Sequence, residues 1–91
     1  MLKDFIKPVE PFYLHDGRVI RRLSELIKIL DDIDDNIFSE HVNDWKNDFY
    51  AWIKDCISDD IAEIVKHKKT KHEMKEALLL ELLREVEFEV E

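Results

Sequence analysis

The chain has 91 residues, 45% of them hydrophobic, and a formal net charge of −8. That length suits one compact domain, and the apolar content is enough to fill a core, which argues against wholesale disorder. The acidic balance argues against an ordinary phosphate-backbone binder. No apolar run is long enough to span a bilayer, and no signal-peptide pattern opens the sequence. Cys56 is the one cysteine, so no internal disulfide is expected and a cytoplasmic setting is the default.

Residues 1–10 read as an extended lead, because Pro8 and Pro11 each disfavour helix in the residue before them. Phe12, Tyr13 and Leu14 form a short apolar stretch that suits either a strand or a segment laid across a helical core. His15-Asp16-Gly17 reads as a turn, with the only glycine placed where a positive φ or a close backbone approach is needed. A helix is predicted over residues 23–33, where Leu23, Leu26, Ile27, Leu30 and Ile33 share one face and Ser24 is a candidate N-cap. Val19 and Ile20 either extend that helix or pair with residues 12–14. The acidic run at 31–35 marks a turn, and Asp34 or Asp35 is a candidate cap for a short helix holding Ile37, Phe38 and Val42.

Asn43 or Asn47 starts the next helix, in which Phe49, Trp52, Ile53, Cys56 and Ile57 follow the spacing of a buried helical face. Trp45 is a candidate for the same core from the preceding turn. Ser58 or Asp59 caps a short helix through Ile61, Ile64 and Val65, and the basic residues 66–69 end it. Thr70 and Glu73 have the spacing of a capping box before a last helix. Its Met74, Ala77, Leu78, Leu79, Leu80, Leu82, Leu83 and Val86 cover more of the circumference than one core contact requires. The surplus calls for cover from the N-terminal segment, a second protomer or a partner. Phe88 and Val90 alternate with acids, so residues 88–91 are expected as an acidic tail that leaves the helix as an edge strand. The expected fold is therefore mainly α: a single domain over residues 11–87, a bundle of four to five short helices with an extended N-terminal segment and a minor strand.

Candidate chemistry is sparse. His15, Asp16, His41 and Asp48 form a metal or acid–base site only if residues 12–17 fold back over the second and third helices. No zinc-ligand spacing, calcium loop or glycine-rich phosphate loop is present, and no cofactor is expected. Asp48 has two structural alternatives: supporting the first turn of its helix, or holding Arg18, Arg21 or Arg22 in a salt bridge. Cys56 lies at an apolar helical position and reads as a core residue. Gly17, Phe38, Asn43 and Phe49 are read as structural.

The run from Pro11 to Arg18 followed by Leu23-Ser24-Glu25-Leu26, and the later Phe38-Ser39-Glu40-His41-Val42-Asn43 with Asn47-Asp48-Phe49 and Trp52-Ile53, resemble two blocks of DUF5752, a family of small prokaryotic domains without an established activity. The resemblance spans roughly residues 11–85. It implies a compact domain with His15, Asp16, Gly17, Phe38, His41, Asn43, Asp48, Phe49 and Trp52 in its signature, and it implies no reaction.

The expected function is that of a protein-interaction or assembly module without catalytic activity of its own, working with a protein partner or as a homo-oligomer. Trp45, Trp52, Leu79, Leu80 and Leu83 are its contact candidates. The alternative is a metal- or small-ligand-binding domain, enzymatic or not, built on His15, Asp16, His41 and Asp48. Nucleic-acid binding through Arg18, Arg21, Arg22 and the lysines of residues 66–75 is a third class, disfavoured by charge.

Overall fold

The computed structural model describes the backbone of residues 2–90 and the side chains of residues 2–87. Its elements run α1 (Lys3–Ile6), β1 (Phe12–Tyr13), β2 (Val19–Ile20), α2 (Leu23–Asp32), α3 (Asp35–His41), α4 (Asp48–Cys56), α5 (Asp59–Val65) and α6 (Lys71–Val90). The fold is mainly α with one two-stranded ribbon. In it β1 pairs antiparallel with β2, Phe12 opposite Ile20 and Tyr13 opposite Val19, so Val19 and Ile20 belong to a strand and not to α2. Gly17 closes the ribbon at φ +95°. Its N–H donates to the Leu14 carbonyl at 3.0 Å, and the Leu14 N–H donates to the Arg18 carbonyl at 2.9 Å.

Local chemistry sets the helix ends. Asn47 caps α4 by accepting from the Tyr50 N–H at 3.0 Å, and Ser58 caps α5 by accepting from the Ile61 N–H at 3.3 Å. Thr70 accepts from the Glu73 N–H at 3.1 Å, and its hydroxyl donates to the Glu73 carboxylate. At α2 the N-cap is Arg22, not Ser24. Glu25 reaches back to the Arg21 N–H at 2.6 Å and the Arg22 N–H at 3.2 Å. A carboxylate serves these orphan amides better than the Ser24 hydroxyl, which lies two positions past the cap. Asp34 is the N-cap of α3 by position, without a side-chain hydrogen bond to the helix.

Leu23, Leu26 and Leu30 of α2, Phe38 of α3, Phe49 and Ile53 of α4, Ile61 and Val65 of α5, and Met74 and Leu78 of α6 share one core. The main packing contacts join α4 to α5, α5 to α6 and α2 to α6. Lys71 of α6 donates to the carbonyl of Ile33 at 2.6 Å, satisfying a carbonyl at the C-terminus of α2 with a charge of the sign that end favours.

Two terminal expectations are corrected. The N-terminal lead is not extended throughout: residues 3–6 make one helical turn that inserts Phe5 completely into the core. Pro8 constrains only Lys7, which is extended at φ −71° and ψ 128°, so the turn before it forms freely and the Phe5 ring holds it down. At the other end the tail does not become a strand; α6 continues through Val90. β1 and β2 pair only with each other. Glutamate is a good helix former, so propagation of α6 prevails over the alternating pattern. Glu91 lies outside the described residues.

Candidate functional site

Three of the four polar candidates converge where the β1–β2 turn meets α3 and α4. His41 sits in the last turn of α3 and is 2% exposed. The His15 backbone N–H donates to His41 Nε2 at 3.2 Å, so that nitrogen carries no proton. Nδ1 then bears it and donates to Asp48 Oδ2 at 3.0 Å. The ring lies 4.2 Å, centroid to centroid, from His15, 5.1 Å from Phe12 and 5.5 Å from Phe49. Asp48 also accepts from Lys46 Nζ at 3.2 Å, and the exposed His15 ring pairs with Glu40.

Both nitrogens of His41 are thus committed to holding the turn against the helices. Asp48 supports α4 as a first-turn acid, the first of its two structural alternatives, and its ion-pair partners are His41 and Lys46, not the arginines of the second. Asp16 turns away: it accepts from the Arg18 backbone N–H at 3.0 Å and from Arg18 Nε at 2.8 Å, and those bonds hold its carboxyl below the usual range. Among the described residues no group of three or more His, Cys, Asp or Glu side chains is arranged to hold a metal ion. The junction is a structural clamp. Glu40 and Lys46, its outer members, are not among the residues singled out: the partner of Glu40 is 25 positions away, and Lys46 pairs with Asp48 two positions on, at the start of α4.

The turn at residues 42–47 is the second feature. Val42 and Asn47 form an isolated antiparallel bridge, and the Asn43 N–H donates to the Lys46 carbonyl at 2.9 Å. Asn43 Oδ1 accepts from the Trp45 N–H at 3.0 Å while its Nδ2 donates to the Ser39 carbonyl at 3.1 Å. Asn47 Nδ2 donates to the Val65 carbonyl at 3.1 Å, fastening the turn to the end of α5. Lys69 Nζ reaches the Asn43 carbonyl at 3.4 Å. At the apex Trp45 is 89% exposed. The core position considered for it is therefore not taken, because the side-chain and backbone bonds of Asn43 hold the apex outside the helices.

The other contact candidates divide. Trp52 is buried, with Phe12 against its ring and its Nε1–H donating 2.7 Å to the Glu10 carbonyl. It is a core and latch residue, not a contact residue. Leu79 packs partly against the core, whereas Leu80 and Leu83 are 56% and 57% exposed. Phe38 and Phe49 are core residues, as read. Cys56 is half-buried, and burial pushes its thiol pKa up, which suppresses the thiolate. Basic side chains proposed for nucleic acid are largely engaged. Arg18 pairs with Asp16 and Asp32, Arg22 with Glu25, Lys66 with Glu63, Lys71 with Asp35 and Lys75 with Asp31. Among the described residues no helix is long and apolar enough to cross a membrane.

Comparison with family models, curated proteins and solved structures finds no match to this chain.

Proposed function

We propose that this protein is a cytoplasmic interaction module without catalytic activity of its own, one of the DUF5752-like domains its two sequence blocks resemble, and that it docks a protein partner through Trp45. The observation carrying this reading is a tryptophan 89% exposed on a turn fixed by side-chain and backbone hydrogen bonds from Asn43 and Asn47. An indole outside the core contributes no burial to folding, yet the turn beneath it is ordered. Tryptophan is enriched among residues that dominate binding energy, and a turn already fixed loses little freedom when it docks. The partner is expected to offer an apolar pocket with an acceptor for the indole N–H.

The test compares wild-type and Trp45→Ala protein purified from producing cells under gentle conditions, with co-purifying proteins quantified by mass spectrometry. A co-purifying protein lost with Trp45→Ala, retained with Lys28→Ala on α2, and able to shift Trp45 emission to the blue on reconstitution supports the reading. An unchanged set of co-purifying proteins refutes it. Because Trp45 contributes nothing to the core, the variant keeps the wild-type melting temperature, and loss of fold does not obscure the result.

A further inference from the structure

His41 joins two parts of the fold that make opposite demands on one proton. Toward α4 its Nδ1–H donates to Asp48, and toward the β1–β2 turn its Nε2 accepts from the His15 N–H. An imidazolium keeps the first bond and strengthens it, because donor and acceptor are then both charged. It cannot keep the second. Nε2 then bears a hydrogen directed at the hydrogen of an amide 3.2 Å away. Turning the ring over brings no relief, since every edge of an imidazolium is N–H or C–H. With the ring 2% exposed, bulk water does not replace the lost acceptor while the turn is closed.

The charges around the ring divide in the same way. On the helix side Asp48 attracts a cation, and so does the C-terminal end of α3, where His41 is the basic residue of the last turn. On the turn side stands the His15 ring, 4.2 Å away between centroids, which repels His41 once both are protonated. Lys46 shares Asp48 at 3.2 Å and opposes a charge on His41 from the 42–47 turn. Glu40 is engaged by the His15 ring, Asp16 by Arg18, and Phe12 and Phe49 are apolar walls. Apart from Lys46, what opposes the proton belongs to the β1–β2 turn, and what favours it belongs to the helices.

We propose that the His15-Asp16-Gly17 turn is a pH-sensitive latch: it is closed on α3 while His41 is neutral, and protonation of His41 releases it while the His41–Asp48 pair keeps α3 on α4. Closure is complete at high pH and is lost as pH falls. The release is local. Leu14 is 4% exposed, β1 stays paired with β2, and Arg18 ties the base of the turn to Asp32 of α2 at 3.0 Å, and none of these contacts uses an imidazole. The His15–Glu40 pair resists release only weakly, because both side chains are about half exposed and water screens them. Opening brings the His41–Asp48 pair to the surface, so the domain presents a different face on either side of the transition.

Nuclear magnetic resonance of the intact protein, from about pH 8 to about pH 5 where imidazoles titrate, reads both halves of the latch. Ring-nitrogen shifts report the proton on His41, and hydrogen exchange reports the His15 amide. Protection of that amide should fall about tenfold per pH unit as His41 charges, the slope of one linked proton, with protection in α4 and α5 unchanged. Lys46→Ala leaves Asp48 to His41 alone and moves the transition to higher pH, whereas Asp48→Asn moves it lower. His41→Gln sets an uncharged amide oxygen before the His15 N–H and holds the turn closed throughout; if that variant does not fold, the opposite shifts of the other two still decide. A His15 amide that stays protected while His41 takes up its proton overturns the latch. So does a His41 that stays neutral across the range, a loss of protection that spreads through α4, or shifts of the same sign in the Lys46 and Asp48 variants. None of these outcomes is read through Trp45, so partner capture stands or falls by its own assay.

Discussion

Replacing His41 with alanine removes a ring that is 2% exposed and makes two hydrogen bonds to different parts of the fold. The bond to the Asp48 carboxylate is charge-assisted, and its loss costs about 1.5 kcal/mol, the low end of the range because Lys46 still holds Asp48. The His15 N–H loses its acceptor, at about 1 kcal/mol. The space left between Phe12 and Phe49 adds about 1 kcal/mol for a site that collapses only in part. The expected destabilisation is therefore about 3.5 kcal/mol, which for a domain of this size lowers the melting temperature by roughly 14–28 °C. Urea unfolding followed by far-ultraviolet circular dichroism measures it. His41→Phe separates the contributions: it restores most of the ring packing and neither hydrogen bond, so it should fall between wild type and alanine. In a double-mutant cycle with Asp48→Asn, the alanine effect should shrink, because the Asp48 bond is then already weakened. A cost for His41→Ala below about 1 kcal/mol would refute the clamp, since a solvated histidine on a helix surface would give that value.

Two further outcomes follow from the turn and the carboxylates. Gly17→Ala should destabilise by about 1–2 kcal/mol through the positive φ alone, because an added methyl group meets nothing within 4 Å; Gly17→Asn should recover part of that loss, and equal melting temperatures for glycine and alanine would show the turn relaxing. Hydrogen bonds from Arg18 to Asp16, from the Arg21 N–H to Glu25, and from Lys75 to Asp31 hold these three carboxyls below their ordinary values. Their contribution is complete above the unfolded-chain value near about 4 and is lost as pH falls through the lower folded-state values. Urea midpoints should therefore drop on acidification in that window, by less in Asp16→Asn; a midpoint flat from neutral pH to the acid limb would contradict the assignment.

The features legible in the sequence are those decided within one turn of chain. Asn47, Ser58 and the Thr70–Glu73 pair each act on an amide three residues away, and the spacing of Phe49, Trp52 and Ile53 declares a buried face because helix geometry alone brings them together. His15, His41 and Asp48 of the candidate site were legible as residues but not in their role, and Asp16 does not join them. His15 and His41 are 26 positions apart, and the bond joining them uses a backbone N–H, which every residue but proline possesses and no pattern advertises. Trp52 and Trp45 show the same limit from opposite sides. Both are tryptophans near one helix start, yet the Glu10 carbonyl draws one inward while the Asn43 bonds hold the other out. Phe5 escaped notice because one aromatic residue in four helical positions has no period, and the helical course of residues 88–90 because the 2.0 and 3.6 repeats cannot be told apart over so short a stretch.

The packing of α2 on α6 has a consequence for synthesis. While the chain emerges from the ribosome, α4 and α5 can pair with each other, since they are neighbours in sequence and pack together. Leu26 and Leu30 must wait for Met74 and Leu78, and the carbonyl of Ile33 for the ammonium of Lys71, which lies 38 positions downstream. The nascent protein thus carries a half-covered helix for nearly half of its translation. Completion of the domain is governed by the arrival of a single late element, so a stalled or truncated product ending before residue 74 should be recognised and removed as unfolded.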